Sequence, residues 1–165
     1  MAVLSIRRDN EALTLSVVSE FDASVERVWQ VWADPRLLER WWGPPTWPAT
    51  FERYEFKPGG ECRYHMTGPE GEKSRGWWTI TAVEPPHRLE FDDGFAGDDG
   101  EPSGALGVTH GVVTIEPDGA KTRMTVMSQF TDLEQLEKMA AMGMEEGLRQ
   151  AVGQIDDLLA EGSRR

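Results

Sequence analysis

Residues 131–160 read TDLEQLEKMAAMGMEEGLRQAVGQIDDLLA. Within them Leu133, Leu136, Ala140, Met144, Leu148, Ala151, Ile155 and Leu158 recur at helical spacing and trace one apolar stripe. Thr131-Asp132-Leu133-Glu134 reads as a capping box at the start of a helix over 132–160. At 1.5 Å per residue that helix reaches about 40 Å. Gly143 and Gly147 lie inside it, each costing about 1 kcal/mol relative to alanine, and they predict a kink near Gly143. Their Gly-xxx-Gly spacing carries no membrane meaning, because Glu145 and Glu146 sit between them. A long helix with one apolar face needs a broad surface to cover.

The middle of the chain supplies that surface. Candidate strands are 49–56, 61–66, 76–83, 88–91, 108–116 and 123–130. Lys57-Pro58-Gly59-Gly60, Gly68-Pro69-Glu70-Gly71, Glu84-Pro85-Pro86 and Pro117-Asp118-Gly119 punctuate them as turns between antiparallel neighbours. The longest irregular piece, 92–107, is rich in Gly and Asp and is expected to be a loop. Upstream, Leu13, Leu15 and Val17 alternate with polar residues in a further strand over 12–21. Ser24 caps a helix over Val25–Ala33, whose Val25, Val28, Trp29 and Trp32 share a face. Asp34-Pro35 ends it and starts a second short helix through Trp42, stopped by Gly43-Pro44-Pro45. The expected architecture is α+β: a seven-stranded curved antiparallel sheet with two short helices and a long C-terminal helix across it. A curved sheet gripping a helix leaves a space between them, and that space becomes a ligand cavity wherever bulky side chains do not fill it.

Composition narrows the function. The 165 residues carry 17 Lys+Arg against 29 Asp+Glu, a formal charge of −12, which argues against nucleic acid and against an anionic membrane surface. A single cysteine, Cys62, excludes an internal disulfide. No apolar stretch approaches a membrane span, and the first ten residues lack the apolar run of a signal peptide, so a cytoplasmic protein forming one domain over 1–165 is expected. A homodimer is compatible with this composition.

Phe21-Asp22-Ala23-Ser24-Val25-Glu26-Arg27-Val28-Trp29 resembles the opening of the SRPBCC (START-like, Bet v 1-like) superfamily. Arg40-Trp41-Trp42-Gly43-Pro44, Phe56-Lys57-Pro58-Gly59-Gly60, Val83-Glu84-Pro85-Pro86-His87-Arg88-Leu89 and Gly143-Met144-Glu145-Glu146-Gly147-Leu148 are similar to one branch, the AHSA1 family named for the activator of Hsp90 ATPase. The resemblance runs from about Leu13 to Ala160. It implies a helix-grip fold with a hydrophobic cavity under the C-terminal helix. The family often has an aromatic where Leu148 stands, so more space is expected here. The eukaryotic activators carry a further N-terminal domain that this chain has no room for, so co-chaperone activity does not follow from the family name.

Chemistry-bearing motifs are few. His65, His87 and His110 are scattered, with no metal-ligand spacing, and no Gly-x-Ser-x-Gly occurs. No cofactor or metal is implied. Asp92-Asp93 and Asp98-Asp99-Gly100-Glu101 read as a solvated acidic loop without the spacing of an EF-hand. Cys62, Tyr64 and Met66 share strand parity and are expected on the inner face, with Cys62 a small core residue. Trp78 and Ile80 are expected inward and Trp77 outward. The expected ligand-binding residues are Trp41, Tyr64, Met66, Trp78, His110, Met144 and Leu148, with Tyr64 and His110 as polar groups. The expected function is a binding module for a small, largely apolar or aromatic molecule. The alternatives are a cyclase- or hydratase-type enzyme, with Tyr64, His110 or an inward carboxylate as acid or base, and an Hsp90-type co-chaperone or other protein-interaction domain.

Overall fold

Leu15, Val17, Ser19 and Phe21 are buried and their neighbours are not, and the same two-residue rhythm runs through the strands that follow. In the computed structural model, which describes residues 3–104 and 107–163, the elements are β1 (Val3–Asp9), β2 (Thr14–Phe21), α1 (Val25–Ala33), α2 (Pro35–Leu38), β3 (Ala49–Tyr54), β4 (Glu61–Thr67), β5 (Lys73–Glu84), β6 (Arg88–Phe95), β7 (Thr109–Asp118), β8 (Lys121–Gln129), α3 (Leu133–Ala141), α4 (Met144–Gly153) and α5 (Ile155–Ser163). The first two and last two residues of the chain, and residues 105 and 106 of the expected loop, lie outside the described residues. The strands form one antiparallel sheet in the order β1-β2-β8-β7-β6-β5-β4-β3. Register shifts in β1, β3 and β5 bend it. The helices lie on one face, with α4 against β1 and β2 and α5 against α1.

This is the expected helix-grip fold with three corrections. The sheet has eight strands rather than seven, because β1 adds to the free edge of β2. The long helix is three: α3 ends at Met142, Gly143 takes a left-handed φ of 86°, and α4 gives way to α5 at Gln154. The kink expected near Gly143 is therefore a full break, of a kind glycine adopts at no steric cost. The strand expected over 88–91 continues to Phe95, so Asp92 and Asp93 belong to β6 and not to a loop. Capping follows the side-chain chemistry. Ser24 accepts a bond from the Arg27 N–H, and Asp132 one from the Gln135 N–H, which moves the expected capping box one residue along.

The core is built on Trp32, Trp41, Trp78, Phe21 and Phe91, all at 2% exposure or less. The helix break is used structurally. Gln154, between α4 and α5, donates from its side-chain amide to the carbonyls of Gly43, at 2.8 Å, and Trp41, at 3.3 Å. Gln154→Leu removes the donor from two partly buried carbonyls and is expected to cost about 1–3 kcal/mol in urea unfolding. An unchanged midpoint would show that the Trp41–Gly43 segment is held by packing alone. Among the described residues no helix is long and apolar enough to cross a membrane.

Candidate functional site

Register decides which side chains meet under the helices. Tyr64 of β4 pairs with Gly76 of β5, and a Cβ on that glycine would fall 2.4 Å from the Tyr64 ring and hydroxyl. The absence of a side chain at residue 76 is what lets the tyrosine lie flat across the sheet. Trp78, two residues on, pairs with Cys62 on one side and Asp93 on the other, and Asp93 pairs with Thr109 of β7. Tyr64, Trp78, Asp93 and Thr109 are thus neighbours on the concave face.

The fourth wall comes from the loop after α2. Gly43 has a φ of 105°, and a Cβ there would meet the Trp47 carbonyl at 2.4 Å, so only glycine makes this turn. The turn aims Trp42 at the sheet. Its ring stands perpendicular to Trp78, with centroids 4.9 Å apart, and perpendicular to Tyr64 at 6.2 Å. The Trp42–Tyr64 pair divides the space under the helices. On one side is an apolar cleft of about 190 Å³, lined by Trp42, Pro44, Met66, Met144, Leu148 and Ala151. On the other is a smaller chamber of about 90 Å³, lined by Tyr64, Asp93, Phe95, Thr109 and Met139. Each is below the roughly 300–1,000 Å³ of most ligand pockets, so a ligand spanning both moves Trp42 aside from Tyr64.

The polar groups here are poorly matched by the protein. The indole N–H groups of Trp42 and Trp78 are buried without a hydrogen-bond partner. Both lie near enough to the Tyr64 oxygen to favour its ionised form, but burial, aided by the charge of Asp93, outweighs them and keeps the hydroxyl protonated. The half-buried Asp93 carboxyl receives no hydrogen bond from a described residue. Desolvation, with repulsion from Asp92, pushes its pKa up to about 7, against the pull of His110. A half-buried carboxyl with a raised pKa at the wall of a cavity marks a functional candidate.

The expected site residues divide accordingly. Tyr64, Met66, Met144 and Leu148 line the two spaces. Trp78 is completely buried, stacked on Phe91 with centroids 4.3 Å apart, and forms a floor beneath Tyr64. Trp41 is a core residue rather than a lining one: its indole donates to the Val31 carbonyl at 2.8 Å, and its neighbour Trp42 faces the site instead. His110 is corrected outright. It shares parity with the half-buried Val112 and Thr114, so it points away from the helices. There its Nδ1 lies 2.7 Å from Asp92 and its Nε2 3.0 Å from Glu90, and these carboxylates outweigh burial to raise its pKa. Cys62 is fully buried, its thiol pushed up to about 12 mainly by desolvation, and offers no nucleophile. Asp93 and Trp42 are the residues the sequence reading missed. The signal for Asp93 was present in Leu89, Phe91, Asp93 and Phe95, an inward alternation that continues past the point where an acidic residue suggested a loop. Among the described residues no group of three or more His, Cys, Asp or Glu could hold a metal ion.

Known proteins share this framework. A protein of Arthrobacter aurescens, solved by NMR, is 60% identical with a TM-score of 0.93, over 96% of this chain and 92% of that one. Crystalline Ms6760 from Mycobacterium smegmatis is 44% identical with a TM-score of 0.88, over 95% and 96%. An AHSA1 protein from Silicibacter pomeroyi, 23% identical over 90% of this chain and 99% of that one, shares the fold with a TM-score of 0.74. No curated protein matches the chain. The family model for activator of Hsp90 ATPase homolog 1-like proteins matches residues 22–160, from two residues before the α1 cap through most of α5 and so across every wall of the site. By that match, and by the helix-grip fold, the chain belongs to the AHSA1 family of the SRPBCC superfamily.

Proposed function

We propose that the protein is a binding module for a small, largely apolar or aromatic molecule held between the sheet and the C-terminal helices. The observation that carries this reading is the half-buried Asp93 carboxyl, which lines the chamber beside the apolar cleft and receives no hydrogen bond from a described residue, with the unpartnered indole N–H groups of Trp42 and Trp78 buried behind Tyr64. Met66, Met139 and Met144 give that space deformable walls suited to ligands of varied shape. The fold itself is one consistent with a ligand-binding or a co-chaperone domain. A co-chaperone role rests on the family's name alone.

A naphthalene-based ligand entering the space is expected to perturb tryptophan fluorescence and raise the melting temperature. At 100 times the dissociation constant, linkage supplies about 2.7 kcal/mol. Leu148→Trp fills the apolar cleft and should weaken binding at least tenfold by calorimetry, with a stability cost of about 1–3 kcal/mol from overpacking. A folded variant that binds as tightly as the parent would place the ligand elsewhere.

A second reading, a cyclase- or hydratase-type enzyme, is favoured by one observation. Asp93 combines an inward position with a pKa raised to about 7, the range of a group that gives and takes protons near neutrality. Its partner in such chemistry is Tyr64 and not His110, which lies on the opposite face of the sheet.

A further inference from the structure

We propose that the chamber at Asp93 is a subsite for a hydroxyl group carried on a flat apolar ligand, the hydroxyl donating to the Asp93 carboxyl and accepting from the Tyr64 hydroxyl. The proposal rests on the ligand-binding reading and assigns the chemistry of its polar end.

The argument starts from what the protein leaves unmatched. Buried polar groups are nearly always paired. Here a half-buried carboxyl on β6 receives no hydrogen bond from a described residue, and two buried indole N–H groups near one tyrosine oxygen have no partner of good geometry among the described residues. Tyr64 is held over Gly76, which fixes where its hydroxyl stands. The chamber therefore presents an acceptor, the Asp93 carboxylate, beside the Tyr64 hydroxyl, with the two indole N–H groups buried behind that hydroxyl.

Ligand groups can be tested against that pattern. Above the folded Asp93 value of about 7, an ether or ketone oxygen only accepts, and leaves the ionised carboxylate without a donor. A carboxylate is set against Asp93 in a chain of net charge −12. An ammonium suits the carboxylate but cannot accept from the N–H and O–H groups around it. A hydroxyl donates once and accepts twice, so it alone among these satisfies both kinds of group. It is also compact enough for a chamber of about 90 Å³. The rest of the ligand meets Phe95 and Met139 in the chamber, then Trp42 and Leu148 toward the cleft, which sets its apolar and flat character.

The test uses the whole protein and three probes at about pH 8, above the folded Asp93 value: 2-naphthol, 2-methoxynaphthalene and naphthalen-2-ylmethylamine. In the parent, calorimetry is expected to show 2-naphthol binding about tenfold or more tighter than its methyl ether, the range of a hydrogen bond to a charged group. The preference should vanish in Asp93→Leu and shrink in Tyr64→Phe, while the ether binds both variants about as it binds the parent. Circular dichroism and melting establish that each variant is folded, and Tyr64→Phe keeps the test open if Asp93→Leu is not. The proposal is overturned by an ether that binds as well as the naphthol, by an undiminished preference in Asp93→Leu, or by tightest binding of the amine. If the ether matches the naphthol and Leu148→Trp blocks both, the hydroxyl subsite falls and the ligand-binding reading stands. If none of the three binds, both fall.

Discussion

Asp93→Asn is expected to stabilise the protein by about 2–4 kcal/mol at about pH 8 while leaving it almost unchanged near pH 4. The unfolded chain releases the Asp93 proton near the ordinary aspartate value of about 3.9. The folded protein holds it until about 7, because the carboxyl is desolvated and the charge of Asp92 repels its ionised form. Between these values the folded state binds more protons than the unfolded one, so stability falls as pH rises. The slope from this group is about 1.4 kcal/mol per pH unit, and the loss is complete once pH passes the folded value. The ceiling is about 4 kcal/mol, and water reaching a half-buried carboxyl reduces it. Asparagine has no proton to lose, so the advantage of the variant should open across the window from about 4 to about 7 and then stay level. Other shifted groups are common to both proteins: Glu52 and Glu90 are lowered, chiefly by His65 and Arg88 respectively, and His110 is raised. Only the coupling of Asp93 to Asp92, His110 and Tyr64 differs between the two. Urea unfolding of parent and variant across this range measures the difference directly. Parallel curves would mean that the carboxyl is solvated, and the case for Asp93 as the chemical centre of the site would go with them. A stabilising substitution at a cavity residue is the mark of a group kept for function at the expense of stability.

The signal for Asp93 was masked by its neighbours, while other positions were plainly legible. Cys62, Tyr64 and Met66, and likewise Trp78 and Ile80, face inward as strand parity requires, because burial of one face sets register strongly. The same logic holds for Trp77, whose ring packs over Gly94 on the outer face. Parity failed where a strand breaks its own rhythm. In β1 the register shift between Val3 and Ser5 puts Val3 and Ile6 three residues apart as its more buried positions, so no alternation announces a strand. In β6 the run Asp92-Asp93-Gly94 has the composition of a turn, and only tertiary pairing with β5 and β7 keeps it extended. His110 was ambiguous because Val112, its outward neighbour, is apolar, so the strand looked apolar on both faces. The C-terminal stripe was legible, but periodicity carries across a helix break. The stripe positions Met144 and Leu148 line the cleft even though Gly143 has ended α3.

The tryptophans show the other limit, since residue type alone does not separate core from cavity. Trp32→Ala is expected to destabilise the fold by about 3–5 kcal/mol, the usual cost of deleting a fully buried large aromatic. Trp32 has no exposed surface. Its ring meets Trp41 at 4.7 Å, Trp42 at 5.9 Å, Trp78 at 6.3 Å and Phe91 at 6.2 Å, and its indole N–H points at the Met124 sulfur, 3.2 Å away. It therefore joins α1, the loop after α2 and three strands at one point. The backbone adds to this, because the Tyr54 hydroxyl donates to the Trp32 carbonyl. Trp32→Phe keeps most of the ring contacts and loses the N–H, so it should cost markedly less than the alanine variant. Both can be compared by urea unfolding at neutral pH. The two tryptophans that Trp32 supports, Trp42 and Trp78, are the ones whose N–H groups face Tyr64. A partly collapsed Trp32→Ala cavity should accordingly also weaken ligand binding, although Trp32 lines neither space. A cost below about 1.5 kcal/mol would show that neighbouring side chains collapse into the gap. The aromatic cluster would then be a loosely packed extension of the ligand space rather than the rigid support the site requires.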